Sequence, residues 1–222
     1  MMEHGVTFPE FLKDILASES KHYLWLRLLS YLEYIGYRKM VKAIPYAEVN
    51  KGVFYHLRDE IQHSFMLREL AGKSFHRPSL KEEAFEDLVK IGEAYFQTLD
   101  SKIHDWVAEK GKGEQAYICY LLVSYLVEKR VMMVYPQYFN HLRSPSLKIV
   151  IRKIIQDEAQ HLDYLEGVLK HLDPVYALRG SPLPGFEEEI FGAFLHQMQY
   201  FLSRWAEGPV LTAQKRAARR VS

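Results

Sequence analysis

The 222-residue sequence predicts an all-α fold, a four-helix bundle with a long crossover and additional flanking helices. Three observations carry that expectation. Apolar residues recur with helical period over long segments, whereas few stretches alternate with period two and no hairpin dipeptide sits between β-type runs. The pattern D-E-x-Q-H occurs twice, as Asp59-Glu60-Ile61-Gln62-His63 and as Asp157-Glu158-Ala159-Gln160-His161. The surroundings of the two copies repeat as well: a long helical run with a central Glu, a turn near a proline, then the run that holds the motif.

Taken in order, Phe8-Pro9-Glu10 opens a short helix through Leu16. The first bundle helix is expected over about 18–43, with Leu26, Leu29, Glu33, Tyr37 and Met40 on one stripe. Ile44-Pro45 breaks it, and Pro45 suits the first turn of the second bundle helix, about 46–72, which Gly72 and Pro78 punctuate. Residues 79–110 form the crossover, in one helix or two, with Leu88, Ile91, Tyr95 and Leu99 on one face; Gly111-Lys112-Gly113 stops it. The third bundle helix is expected over about 114–136, with Pro136 ending or kinking it. Ser144-Pro145-Ser146 opens the fourth, about 145–172. Asp173-Pro174 and the proline-bearing stretch 180–185 read as loop before a last amphipathic helix over about 186–206. The length suits one domain, 1–222.

Composition narrows the function classes. A net charge of +1 argues against a general nucleic-acid binder, and the basic run 214–220 reads as a solvated terminus. No apolar run reaches the roughly 18–20 residues of a membrane span. The apolar stretch 116–127 is too short and is followed by Glu128-Lys129-Arg130, so it reads as a buried helix. Cys119 is the only cysteine and no signal peptide is visible, which points to a reducing, cytoplasmic setting.

The chemistry lies in the repeated motif. Residues at i and i+3 share a helical face, so Glu60 projects with His63 and Glu158 with His161. Glu33 precedes Glu60 by 27 positions and Glu128 precedes Glu158 by 30, as antiparallel neighbours need to bring mid-helix groups level. Four carboxylates and two imidazoles in a bundle core carry charge that is costly to bury, and two divalent cations would neutralise it. This donor set suits iron or manganese, and no thiolate is available for a soft site. Asp59 and Asp157 are placed to reach across the helix pair, Asp59 toward His161 and Asp157 toward His63, and so to orient the imidazoles. Gln62 and Gln160 read as exposed. Tyr37 and Tyr135 are candidate hydrogen-bonding or redox-active phenols as well as candidate core residues. Ser30, His56 and Ser124 fall one turn before the ligands, to line a pocket or to pack. Phe191, Phe194 and Phe201 could roof an apolar channel or dock the last helix.

The order Glu33, Glu60 with His63, Glu128, Glu158 with His161 resembles that of the ferritin-like di-iron carboxylate superfamily over about 18–172, nearest to its small single-domain members such as the aldehyde-deformylating oxygenases. The resemblance implies two iron ions, or a manganese–iron pair, that activate O₂ or peroxide. It also implies that the acidic residue before each motif Glu bonds a ligand histidine. The expected function is an oxidoreductase acting on a small, apolar or amphipathic substrate with O₂. No flavin or nucleotide motif is present, so electrons would come from a donor protein, and a homodimer is compatible with the length. The alternatives are a ferroxidase or iron-handling protein, and a bundle that binds a lipid-like ligand without turnover.

Overall fold

The structure, a computed structural model, describes residues 6–44, 46, 49–75, 82–111, 115–172 and 174–205, and every regular element among them is helical. Seven α-helices follow in chain order: α1 (Phe8–Leu16), α2 (Glu19–Ala43), α3 (Lys51–Ser74), α4 (Glu82–Lys110), α5 (Gln115–His141), α6 (Pro145–Leu169) and α7 (Leu183–Trp205), with a 3-10 turn at Pro174–Tyr176 before the last. None of the described helices is long and apolar enough to cross a membrane. Expectations placed on Pro45, Pro78, Lys112, Gly113, Asp173 and the basic run 214–220 lie outside the described residues.

Local chemistry sets the helix ends. Thr7 and Glu10 form a reciprocal capping box at α1. Ser18, Asn50 and Ser144 accept from the backbone N–H three residues on, which starts α2, α3 and α6. Gly111 closes α4 with φ +64, where a side chain would be strained. Four boundaries differ from expectation, one of them the end of α6, which stops at Leu169 with Lys170 as its cap and does not reach 172. Asn50 caps α3, so the helix begins at Lys51, not near Tyr46. Pro136 does not end α5, which continues to His141. The tyrosines flanking it, Tyr135 and Tyr138, are both buried and tied to α2 by hydrogen bonds, and that anchoring outweighs the one backbone donor proline lacks. The stretch 183–185, read as loop, is the first turn of α7, because Pro184 needs no N–H partner there.

The helices α2, α3, α6 and α5 pack in a ring, each against the next, and α4 lies against α2, α5 and α7. The inner stripes are apolar at both ends of the bundle and polar in the middle. On α6 the buried positions include Ile151, Ile154, Glu158, His161 and Leu165. On α3 they include Val53, His56, Glu60, His63, Leu67 and Leu70. The two stripes share one spacing, so the acidic and imidazole side chains occupy core positions, and the helices cannot pack without burying them.

One core pair away from this centre makes stability pH-dependent. His22 and Tyr138 share a buried hydrogen bond, with the His22 ring against Phe75. Burial pushes the His22 pKa down from 6.5 to about 4, so the native imidazole is neutral. A depressed histidine pKa means that the unfolded chain takes the proton first. The contribution is whole above pH 6.5 and is lost as pH falls toward 4. The full loss, below both values, reaches about 3 kcal/mol. Urea unfolding at pH 6.5 and pH 4.5 should show a drop about 2 kcal/mol smaller in His22→Gln than in the wild type; equal drops would clear His22 of the effect.

Candidate metal centre

Each of the four ring helices sends side chains to one buried centre. Glu33 comes from α2, His56, Glu60 and His63 from α3, Glu128 from α5, and Glu158 and His161 from α6; all seven are buried. They form two adjoining groups, Glu33 with His63 and Glu158, and His56 with Glu60, Glu128 and His161, each with one ligand atom per residue within 4.8 Å of the others. Glu158 connects the groups. Its Oε1 lies 2.9 Å from His63 Nδ1 and its Oε2 lies 2.7 Å from His161 Nδ1.

The atoms facing one another are imidazole nitrogens and carboxylate oxygens, which only a cation, proton or metal, can hold together. His63 Nδ1 and Glu158 Oε1 are 2.9 Å apart, yet neither has a hydrogen-bond partner; Glu128 Oε2 and His56 Nδ1 are likewise buried without one. Orphaned buried polar atoms cost about 1–3 kcal/mol each. Three of them, His63 Nδ1, Glu158 Oε1 and Glu128 Oε2, belong to the two groups and are donor types that divalent metal takes, whereas His56 turns Nε2 to Glu128 and Glu60.

The outer nitrogens are held from behind. His63 Nε2 is 2.9 Å from Asp157 Oδ2, and Asp157 is gripped in turn by Lys153. His161 Nε2 is 3.4 Å from Asp59 Oδ2, and Arg58 donates to Asp59 at 2.6 Å. Each imidazole thus faces a carboxylate that is itself charge-paired, which fixes the ring and leaves Nδ1 pointing inward. Tyr135 donates a 2.5 Å hydrogen bond to Glu33 and lies at the centre. Tyr37 is half-buried and does not line the cavity beside it. Gln62 and Gln160 are exposed.

With protons as the only cations, the charge is shared out unevenly. Burial would lower His63, but Glu158 and Glu33 outweigh it and lift the imidazole to about 12. Burial likewise opposes, and Glu128 and Glu158 overcome it, to lift His161 to about 11. His56, opposed by burial and favoured by Glu128 and Glu60, rises to about 9. Burial drives Glu60 up to about 8 beside Glu33 and Glu158. Glu128, despite burial, falls to about 2 because His161 and His56 hold its anion. Burial and Glu33 keep the Tyr135 phenol protonated. The protons on three imidazoles stand where metal charge would stand, and metal binding would expel them.

His56 is the member that sequence reasoning did not assign. Its Nε2 sits 2.9 Å from Glu128 and 3.3 Å from Glu60, and its ring stacks on His161 with centroids 4.0 Å apart. The signal was a comparison of the halves: His56 precedes Glu60 by four, where Ile154 precedes Glu158 by four. Of the other two residues noted beside it, Ser30 donates to the Ser64 carbonyl at 2.7 Å and Ser124 lines the cavity.

A cavity of about 720 Å³ opens onto the centre and reaches Glu33, His56, Glu60, Glu128 and Glu158. Phe191 and Phe194 of α7 line it, whereas Phe201 is buried elsewhere in the core. No protein-family model matches the chain, and no curated protein or solved structure is significantly similar to it.

Proposed function

We propose that the chain is a ferritin-like di-metal carboxylate oxidoreductase that holds two iron ions, or a manganese–iron pair, and uses O₂ to oxidise a small apolar or amphipathic substrate. One observation carries this reading: seven buried imidazole and carboxylate side chains from four helices converge in two adjoining groups joined by Glu158. Glu33 and His63 would hold one ion, and His56, Glu128 and His161 the other. Glu158 would lie between the ions, with Glu60 at the second group. Such a pair supplies the electrons and the coordination positions for reducing O₂.

The chain's own residues do the rest. Asp157 and Asp59 keep the Nε2 protons of His63 and His161 outward, so Nδ1 is the free donor atom. Tyr135 holds a proton at its phenol oxygen against Glu33, and can return it to that carboxylate when charge there changes. Leu29, Val127, Val131 and Phe194 make the cavity wall beside the centre apolar, so that an apolar substrate seated there would displace water from it.

The test is anaerobic Fe(II) loading followed by exposure to air. Elemental analysis should find two iron ions per chain, and an oxygen electrode should record uptake in step with loaded iron. Metal content well below one per chain after loading would sink the reading.

A further inference from the structure

The cavity beside the metal centre has a direction. It follows α2 from Trp25 to Ala43 and α5 from Tyr135 back to Ala116. Eighteen positions on α2 correspond to about 27 Å, so the volume is drawn out as a tunnel along the bundle axis. Its ends differ. Trp25, Leu29, Tyr95, Val134, Phe191 and Phe194 make one end, all buried, and the Arg130 guanidinium over Phe191 is neutralised there by Glu187 and Glu188. The exposed wall residues Arg38, Lys42, Gln97, His104 and Ala116 all belong to the other. The tunnel is therefore blind at the aromatic end and open at the C-terminal end of α2.

The open end is basic. Arg38, Lys39 and Lys42 line it. Asp100 is the acid there and is paired with Lys39. Glu93 stands further in, where its carboxylate accepts from Tyr31 at 2.7 Å. Between mouth and blind end the wall carries the centre itself, with Glu33 about 9 Å of helix rise from Lys39 and about 12 Å from Trp25.

We infer that the tunnel binds a single unbranched long-chain carboxylate, with its acid group at Arg38 and Lys42 and its tail at Trp25 and Phe194, so that the middle of the chain passes the metal centre. Lys42 and Trp25 stand about 25 Å apart along α2. With C–C bonds of about 1.5 Å in zigzag, a rise of about 1.25 Å per carbon, that is room for roughly 20 carbons from Lys42 and roughly 16 from Arg38. The carbon facing Glu33 lies roughly seven to ten bonds from the acid group on the same scale. The position of attack rests on the di-metal reading; the binding does not. If the bound chain is hydroxylated there, one atom of O₂ enters the C–H bond. The other leaves as water, with two electrons and two protons from an external reductant.

The test uses the full chain, first without metal. Palmitate and hexadecanol are titrated while tryptophan fluorescence is followed, since Trp25 forms the blind end, and calorimetry gives the stoichiometry. Palmitate should bind one per chain and at least about tenfold more tightly than the alcohol, as one charge-assisted contact gives. The double variant Arg38→Ala/Lys42→Ala should remove that preference and leave the alcohol's affinity unchanged. Equal affinity for acid and alcohol, an unaffected double variant, or binding of palmitoyl-CoA in preference to palmitate would overturn the assignment. Iron-loaded protein given O₂ and reductant should then oxidise palmitate mid-chain, and product oxidised beside the acid group would overturn the seating. Palmitate binding without any metal uptake would reject the di-metal reading alone; two bound irons without palmitate binding would reject the tunnel assignment alone.

Discussion

Glu158→Ala should empty both metal positions together, whereas Glu33→Ala should empty one. The difference follows from the reach of the two carboxylates. Glu158 presents Oε1 to His63 at 2.9 Å and Oε2 to His161 at 2.7 Å, so it belongs to both groups of donors. Glu33 approaches His63 at 3.7 Å and belongs to the first group alone. Loss of an outer partner of a metal ligand costs about 10–100-fold in affinity, and loss of a shared ligand should exceed that at both positions. Elemental analysis after loading and desalting reads the outcome directly. Thermal unfolding reads it a second way. Metal at 100 times its dissociation constant stabilises the wild type by about 2.7 kcal/mol, and Glu158→Ala should show almost none of that gain. Circular dichroism separates these results from misfolding. If Glu158→Ala retained one ion at wild-type affinity, Glu158 would not join the groups and the pairing of donors would have to be redrawn.

The wild type without metal is not a relaxed protein under this scheme. Three imidazoles lifted to about 12, about 11 and about 9 hold protons at neutral pH, and Glu60, lifted to about 8, holds another. Those protons lie among the carboxylates of the same two groups, and those on His161 and His56 hold the Glu128 anion. They would let the four helices close around the centre without metal, and metal, once bound, would replace them.

Much of this centre was legible in the chain because helical period and ligand spacing are the same arithmetic. Glu60 with His63, and Glu158 with His161, sit on stripes whose other members are Val53, Leu67, Ile151, Ile154 and Leu165, so a core prediction and a site prediction coincide. Helices α1, α2 and α6 start where their caps stand in the sequence, at Thr7, Ser18 and Ser144. What escaped had tertiary causes. His56 carries no motif of its own, and its meaning comes from Glu128, 72 positions away. Pro136 reads locally as a stop; two buried tyrosines contacting α2 override it. The tunnel is the space left between α2, α4, α5 and α7, and no single helix encodes it.

Gly36 ties the backbone of α2 to the same centre, and Gly36→Ala tests that tie with opposing signs. Alanine in a helix interior is favoured over glycine by about 0.8–1.0 kcal/mol, so propensity alone predicts a more stable protein. A Cβ at Gly36 would stand 2.4 Å from Glu60 Oε2 and 3.4 Å from its Cδ. The carboxylate would have to swing away, and with it Glu60 would leave the group it forms with His56, Glu128 and His161. Metal affinity at that position should fall by about 10–100-fold, as when a ligand loses its orienting contact. Crowding of this kind costs about 1–3 kcal/mol, enough to cancel the propensity gain or reverse it. Gly72 supplies the contrast, since a Cβ there meets nothing within 4 Å. Gly72→Ala should therefore add up to about 1 kcal/mol and leave metal content untouched. If Gly36→Ala matched it, more stable and fully loaded, then Glu60 can move without loss. Its place beside the second ion would then be incidental, and Glu33, His63, Glu128, Glu158, His161 and His56 would have to suffice.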